Sequence, residues 1–162
     1  MASERAFTHI NPETNSPAMV DVSNKLVTKR IAKARSIVVL GNEIMQQLAG
    51  NDIQTKKGPV FQTAIIAGTM AAKKTSDLIP LCHPLALENC KIEITVNDRQ
   101  EIVIDCTAVI TSKTGVEMEA LTGASIAALT IYDMCKAFSH NITIKETRLI
   151  EKTGGKSDFK SE

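Results

Sequence analysis

A chain of 162 residues, 43% of them hydrophobic and with a formal charge of +1 from 19 basic and 18 acidic side chains, can bury one core. It carries no net field toward nucleic acid or anionic lipid. Four Phe, one Tyr and no Trp leave few platforms for stacking single-stranded nucleic acid, and the longest apolar runs fall far short of the roughly 20 residues a membrane span needs. Met1 to Pro17 offers no apolar leader, and Cys82, Cys90, Cys106 and Cys135 are spread in the manner of reduced thiols, so the expected location is the cytoplasm.

Residues Met1 to Ala18 hold Asn/Pro/Ser-rich turns without periodicity and read as a flexible N-terminal arm; residues 19–162 read as one domain. Val27 to Leu40 alternates apolar residues with Lys29, Lys33 and Arg35 and ends in a Val-rich run before Gly41, which predicts a strand. Asn42-Glu43 then offers an N-cap and a first-turn acid for a helix to about Ala49, stopped by Gly50-Asn51. Pro59 suits a first helical turn, and Val60 to Lys74, rich in Ala, Ile and Met, predicts a second helix.

Pro80 and Pro84 bracket Leu81-Cys82-His83 and deny that stretch both helix and central strand, leaving an ordered loop. Ile92 to Val96 and Ile102 to Cys106 alternate with period two around Asn97-Asp98-Arg99-Gln100, a hairpin with one wet face. Thr114-Gly115-Val116-Glu117 has the spacing of a capping box opening a long helix to about Phe138. Ile142 to Ile150 predicts a last strand before a Gly/Lys/Ser tail. The succession β, α, β, β, α, β predicts an α+β, ferredoxin-like fold: an antiparallel sheet with helices packed on one face.

Three groups of residues could carry chemistry. His83, stiffened between two prolines, is placed to face a ligand as donor or proton carrier, or else to satisfy loop carbonyls. Cys82, His83 and Cys90 lack the spacing of a zinc site, so no metal is expected from them. Asp133 and Lys136, three apart on the long helix, share a face and can keep each other ionised, either as a working couple or as an ordinary surface pair. Glu119 lies on nearly the same side of that helix as Asp133, but 14 positions at 1.5 Å per residue put them about 21 Å apart. If both act on one small substrate, the simplest geometry joins opposite helix ends from two copies of the chain, which predicts an oligomer.

The third group is basic: Lys29, Arg30, Lys56, Lys57, Lys136, Arg148, Lys152 and Lys156 sit near element ends, where a fold could bring them round phosphates. Thr153-Gly154-Gly155-Lys156-Ser157 is not a Walker loop, because Ile150 stands where its first glycine belongs and no helix follows.

Met19-Val20-Asp21-Val22-Ser23, Lys56-Lys57-Gly58, the run from Asp77 to Leu85, the run from Lys113 to Thr122 and the run from Ala128 to Ala137 together resemble the signatures of the cyclic pyranopterin monophosphate synthases. The resemblance implies a ferredoxin-like fold and a homohexamer, a trimer of dimers with active sites at subunit interfaces. It also implies conversion of 3′,8-cyclo-7,8-dihydroguanosine triphosphate to cyclic pyranopterin monophosphate with release of diphosphate, in molybdenum cofactor biosynthesis.

By the same resemblance Asp133 is the catalytic aspartate, with Lys57 and Lys136 the essential lysines. Leu81, Cys82, His83, Met118 and Glu119 are substrate-contacting, and Arg30 and Lys152 are further charged members of the site. No cofactor is required by the sequence, though Mg²⁺ could accompany the triphosphate; neither nucleic acid nor membrane is expected as a partner. The tail departs from the family's usual run by lacking the glycine between Ser157 and Asp158.

A ferredoxin-like module that binds a nucleotide without reacting it would leave the Asp133/Lys136 pair and the His83 loop idle. An RNA-binding version wants exposed aromatics that Ile92 to Val96 and Ile102 to Cys106 lack.

Overall fold

The computed structural model describes residues 7–162. Its spine is β1 (Thr28–Val39), which turns Ala32, Ala34, Ser36 and Val38 inward and Lys33, Arg35 and Ile37 outward, the period-two pattern of a sheet covered on one face. β1 pairs antiparallel with β6 (Ile102–Ser112) on one side and with β7 (Thr143–Thr153) on the other. β5 (Asn89–Val96) continues the sheet beyond β6, and β8 (Phe159–Lys160) extends it beyond β7, giving the order β5-β6-β1-β7-β8. Leaving aside β8, that order is the one a βαββαβ chain adopts when both crossings are helical.

The crossing helices are α2 (Val60–Lys73) and α4 (Glu117–Cys135), joined by the one-turn α3 (Thr75–Leu78) in the connection to β5. Both long helices present small residues where they meet the sheet and each other: Ala64 and Ala72 on α2; Ala120, Ala124, Ala127 and Ala128 on α4. A Cβ at Gly68 would come 2.6 Å from the Gly123 carbonyl oxygen, so glycine lets the two helix backbones close on one another. Ile92, Ile102, Ile104 and Ile131 fill the remaining core. The buried Ser36 hydroxyl is satisfied by Thr147 Oγ1 at 2.7 Å.

Several expectations need correcting. The helix expected from Asn42 to Ala49 is only α1 (Asn42–Met45), capped by Gly41 without any side-chain cap bond. So short a helix gains too few hydrogen bonds to propagate. The chain instead forms a small antiparallel sheet of β2 (Leu48–Ala49), β3 (Asp52–Thr55) and β4 (Gly58–Pro59), which buries Ile53.

The capping box at Thr114 does not form: α4 begins after Val116 with no side-chain cap, because the Glu117 carboxylate is taken by Lys152 at 2.8 Å. α4 also stops at Cys135, short of Phe138.

The expected arm falls partly on residues 1–6, outside the described residues. Residues 7–18 make a turn in which the Asn11 side chain accepts two backbone N–H groups and Ile10 bridges Pro17. The tail closes as a hairpin, with Lys152 opposite Phe159. Gly154 makes this closure workable: at φ +85 it lies so close over the Lys29 carbonyl that a Cβ there would collide with it. Among the described residues, no helix is long and apolar enough to cross a membrane.

Candidate active site

α4 carries chemically suggestive residues at both ends. At its C-terminal end, Asp133 accepts Lys136 Nζ at 2.8 Å through one carboxylate oxygen and Lys57 Nζ at 3.3 Å through the other. Lys57 comes from the turn between β3 and β4, where its own backbone N–H donates to Thr55 Oγ1. Hydrogen bonds from Lys136 and then Lys57 hold the Asp133 carboxyl below the usual carboxylate range, and the same contact raises Lys136. Near neutral pH Asp133 and Lys136 are therefore both charged. They line a cavity of about 620 Å³ whose other wall is Met134, Ala137 and Phe138. Asp133, Lys57 and Lys136 are each about half exposed, so nothing among the described residues closes over them.

At the N-terminal end, the loop after α3 delivers Leu81, Cys82 and His83 to a cavity of about 330 Å³ that also receives Glu117, Met118 and Glu119. The Cys82 N–H donates to the Ile79 carbonyl, and His83 Nε2 lies 2.9 Å from the Val20 carbonyl oxygen, which can only accept; Nε2 therefore carries a proton in this contact. That satisfies His83 on one nitrogen while leaving the ring in the cavity wall.

Adjoining this space, and sharing Thr8, Lys25, Thr114, Gly115 and Glu117 with it, is a second cavity of about 340 Å³ lined by Arg30, Lys152 and Lys156. Arg30 spends Nε on the Ser112 carbonyl and Lys152 pairs with Glu117. Among the described residues, Lys25, Arg30, Lys152 and Lys156 thus face one carboxylate, an excess of positive charge suited to a polyphosphate.

Glu119 is only 4% exposed, and burial raises its carboxyl to about 6, with the nearby Glu117 charge adding to the rise and a backbone hydrogen bond opposing it. A carboxyl poised there can give or take a proton near neutral pH. Because its folded pKa exceeds the ordinary 4.5, its stabilising contribution is complete below about 4.5 and is lost as pH rises through about 6. Glu119→Gln, which stays neutral, should therefore stabilise the fold at neutral pH by about 1 kcal/mol, allowing for solvent at the cavity mouth. It should also slow turnover by about 100-fold. Thermal melts of both proteins across this pH range read the first effect; equal melting temperatures at neutral pH would remove burial as the cause of the shift.

Within one chain the structure gathers Leu81, Cys82, His83, Met118 and Glu119 in one cavity and Arg30 and Lys152 in the next, and it gathers Lys57, Asp133 and Lys136 elsewhere. It does not join the two sets, which sit at opposite ends of a 19-residue helix. Sequence reasoning missed Glu117 as the partner of Lys152 and the Val20 carbonyl as the anchor of His83; separations of 35 and 63 residues leave no local signal for either contact. Cys90 lies against Cys106 rather than beside Cys82 and His83, and the described residues hold no cluster of three or more His, Cys, Asp or Glu fit for a metal.

The MoaC family profile matches residues 19–155. The chain is 53% identical over 167 aligned positions to "Molybdenum cofactor biosynthesis protein 1" of Dictyostelium discoideum, covering 93% of this chain and 26% of that protein. It is 56% identical to the "Molybdenum cofactor biosynthesis bifunctional protein" of a Synechocystis strain, covering 94% of this chain and 45% of that one. With "Cyclic pyranopterin monophosphate synthase" of Xanthomonas oryzae pv. oryzae it shares 51% identity, over 94% of this chain and 92% of the relative. The chain therefore spans less than half the length of the first two and nearly all of the third. With the residues at both ends of α4 inside the matched span, the chain belongs to the MoaC family.

Proposed function

We propose that this chain is a cyclic pyranopterin monophosphate synthase, a lyase that converts 3′,8-cyclo-7,8-dihydroguanosine triphosphate to cyclic pyranopterin monophosphate and diphosphate, an early step of molybdenum cofactor biosynthesis. The observation that carries this reading is the pairing of Asp133 with two lysines at one end of α4, against a cation-rich cavity beside Glu119 at the other.

Opening a purine and rebuilding it as a pterin needs repeated proton transfers. Lys57, Lys136 and Asp133 are an acid–base set for them, with Glu119 and His83 as further proton carriers. Closing a cyclic phosphate expels diphosphate, and Arg30 and Lys152 would neutralise its developing charge. Leu81, Cys82 and Met118 would shape the wall against which the fused ring rests. Mg²⁺, where present, would enter with the triphosphate as its counter-ion.

The two residue sets converge only if the helix end of one subunit meets the helix start of another, which supports an oligomer with interfacial sites; the assembly proposed is a homohexamer built from dimers. The proposed setting is the cytoplasm, with neither nucleic acid nor membrane as partner.

Purified protein mixed with the cyclised GTP substrate should release diphosphate and form the cyclic monophosphate. Tight binding without diphosphate release would instead favour a regulatory nucleotide-binding module.

A further inference from the structure

On the helix-facing side of the sheet, Cys90 Sγ and Cys106 Sγ lie 3.9 Å apart. Cys90 stands opposite Ala108 and Cys106 opposite Ile92, so the two cysteines are diagonal neighbours across the β5–β6 ladder. Cys106 is fully buried beneath α4, where a Cβ at Gly123 would come 2.6 Å from its sulfur. Cys90 is only half-buried, within reach of solvent. We infer that Cys90 and Cys106 form a redox-labile thiol pair, which a peroxide converts to an intramolecular disulfide and a small-molecule dithiol restores.

The division of labour follows from the surroundings. Hydrogen bonding from Cys106 and Thr69 lowers the Cys90 thiol and Lys73 adds a favourable charge, while the Cys106 thiol is pushed up by Cys90 and by burial. Cys90 is therefore the nucleophile. Its thiolate attacks one peroxide oxygen, the O–O bond breaks, and the other oxygen leaves as water after taking a proton; Cys90 becomes a sulfenic acid. Cys106 sulfur then attacks Cys90 sulfur, the S–O bond breaks, the Cys106 proton is lost and the sulfenic oxygen leaves as a second water. Two electrons pass from the pair of sulfurs to the peroxide.

The sulfurs must close from 3.9 Å to about 2.05 Å, and diagonal cross-strand positions hold their Cβ atoms farther apart than a relaxed bridge prefers. That strain makes the bond easily reduced, which places it among labile rather than structural disulfides.

The test treats the purified full chain with hydrogen peroxide, blocks the remaining thiols with iodoacetamide and maps peptides by mass spectrometry. A Cys90–Cys106 crosslink, lighter by two hydrogen atoms and reversed by dithiothreitol, is expected. Cys90→Ser should leave Cys106 alkylated after denaturation. Cys106→Ala should leave a Cys90 sulfenic acid that dimedone traps. Oxidation of Cys90 to sulfinic acid with Cys106 still alkylatable, or oxidation of Cys82 ahead of Cys90, would overturn the inference. The outcome is independent of catalytic activity.

Discussion

Asp133→Asn should abolish turnover while leaving nucleotide binding largely intact. The substitution keeps the volume of the side chain and one acceptor oxygen but removes the charge on which Lys136 and Lys57 converge at 2.8 and 3.3 Å. Without it Lys136 loses the contact that raises its pKa, and Lys57 loses its carboxylate partner. Positioned proton transfer is worth about 10²–10⁴-fold, and here the proposed proton carrier and the placement of two lysines would fail together, so the loss should reach the upper part of that range. The cations proposed to hold the triphosphate sit at the other end of α4 and are untouched. Diphosphate release gives the rate and titration calorimetry with GTP the affinity; undiminished activity in this variant would take Asp133 out of the mechanism.

Complementation between two inactive variants should restore what each alone lacks. If each site takes Asp133, Lys57 and Lys136 from one subunit and Glu119, His83 and Arg30 from its neighbour, then a mixed dimer of Asp133→Asn and Glu119→Gln has one site with both defects and one with neither. Random pairing makes half the dimers mixed, so co-expressed variants should regain about a quarter of wild-type turnover. Activity no higher than the mean of the two separate variants would place all these residues on one subunit's site, against the separation of about 21 Å along α4. The half-exposed state of Asp133, Lys57 and Lys136 in the single chain is the structural reason to expect a partner there.

The elements that were legible in the sequence are those with strong internal periodicity. β1 differs by one residue at each end from the expected strand, and α2 ends one residue early. The hairpin strands proved longer than the alternation suggested, because β6 continues through Thr107, Val109 and Thr111 along its pairing with β1. The failures are local signals overruled by distant partners. Thr114 and Glu117 have capping-box spacing, yet Lys152 claims the carboxylate. Asn42 begins a helix that cannot pay for more than one turn before β2 pairs with β3.

By itself the sequence determined the order of the four long strands and the two long helices, the pairing open to Asp133 and Lys136, and the impossibility of one small substrate bridging Glu119 and Asp133 within a single helix. These follow from periodicity and rise, which depend on near neighbours alone. Only the tertiary structure decided that Lys57 joins Asp133 across 76 residues, that Glu119 is buried enough to hold its proton to about 6, and that the tail folds back to bring Lys156 beside Arg30. Each depends on desolvation or on convergence of charges from separate elements, and neither quantity exists until the sheet and helices have packed.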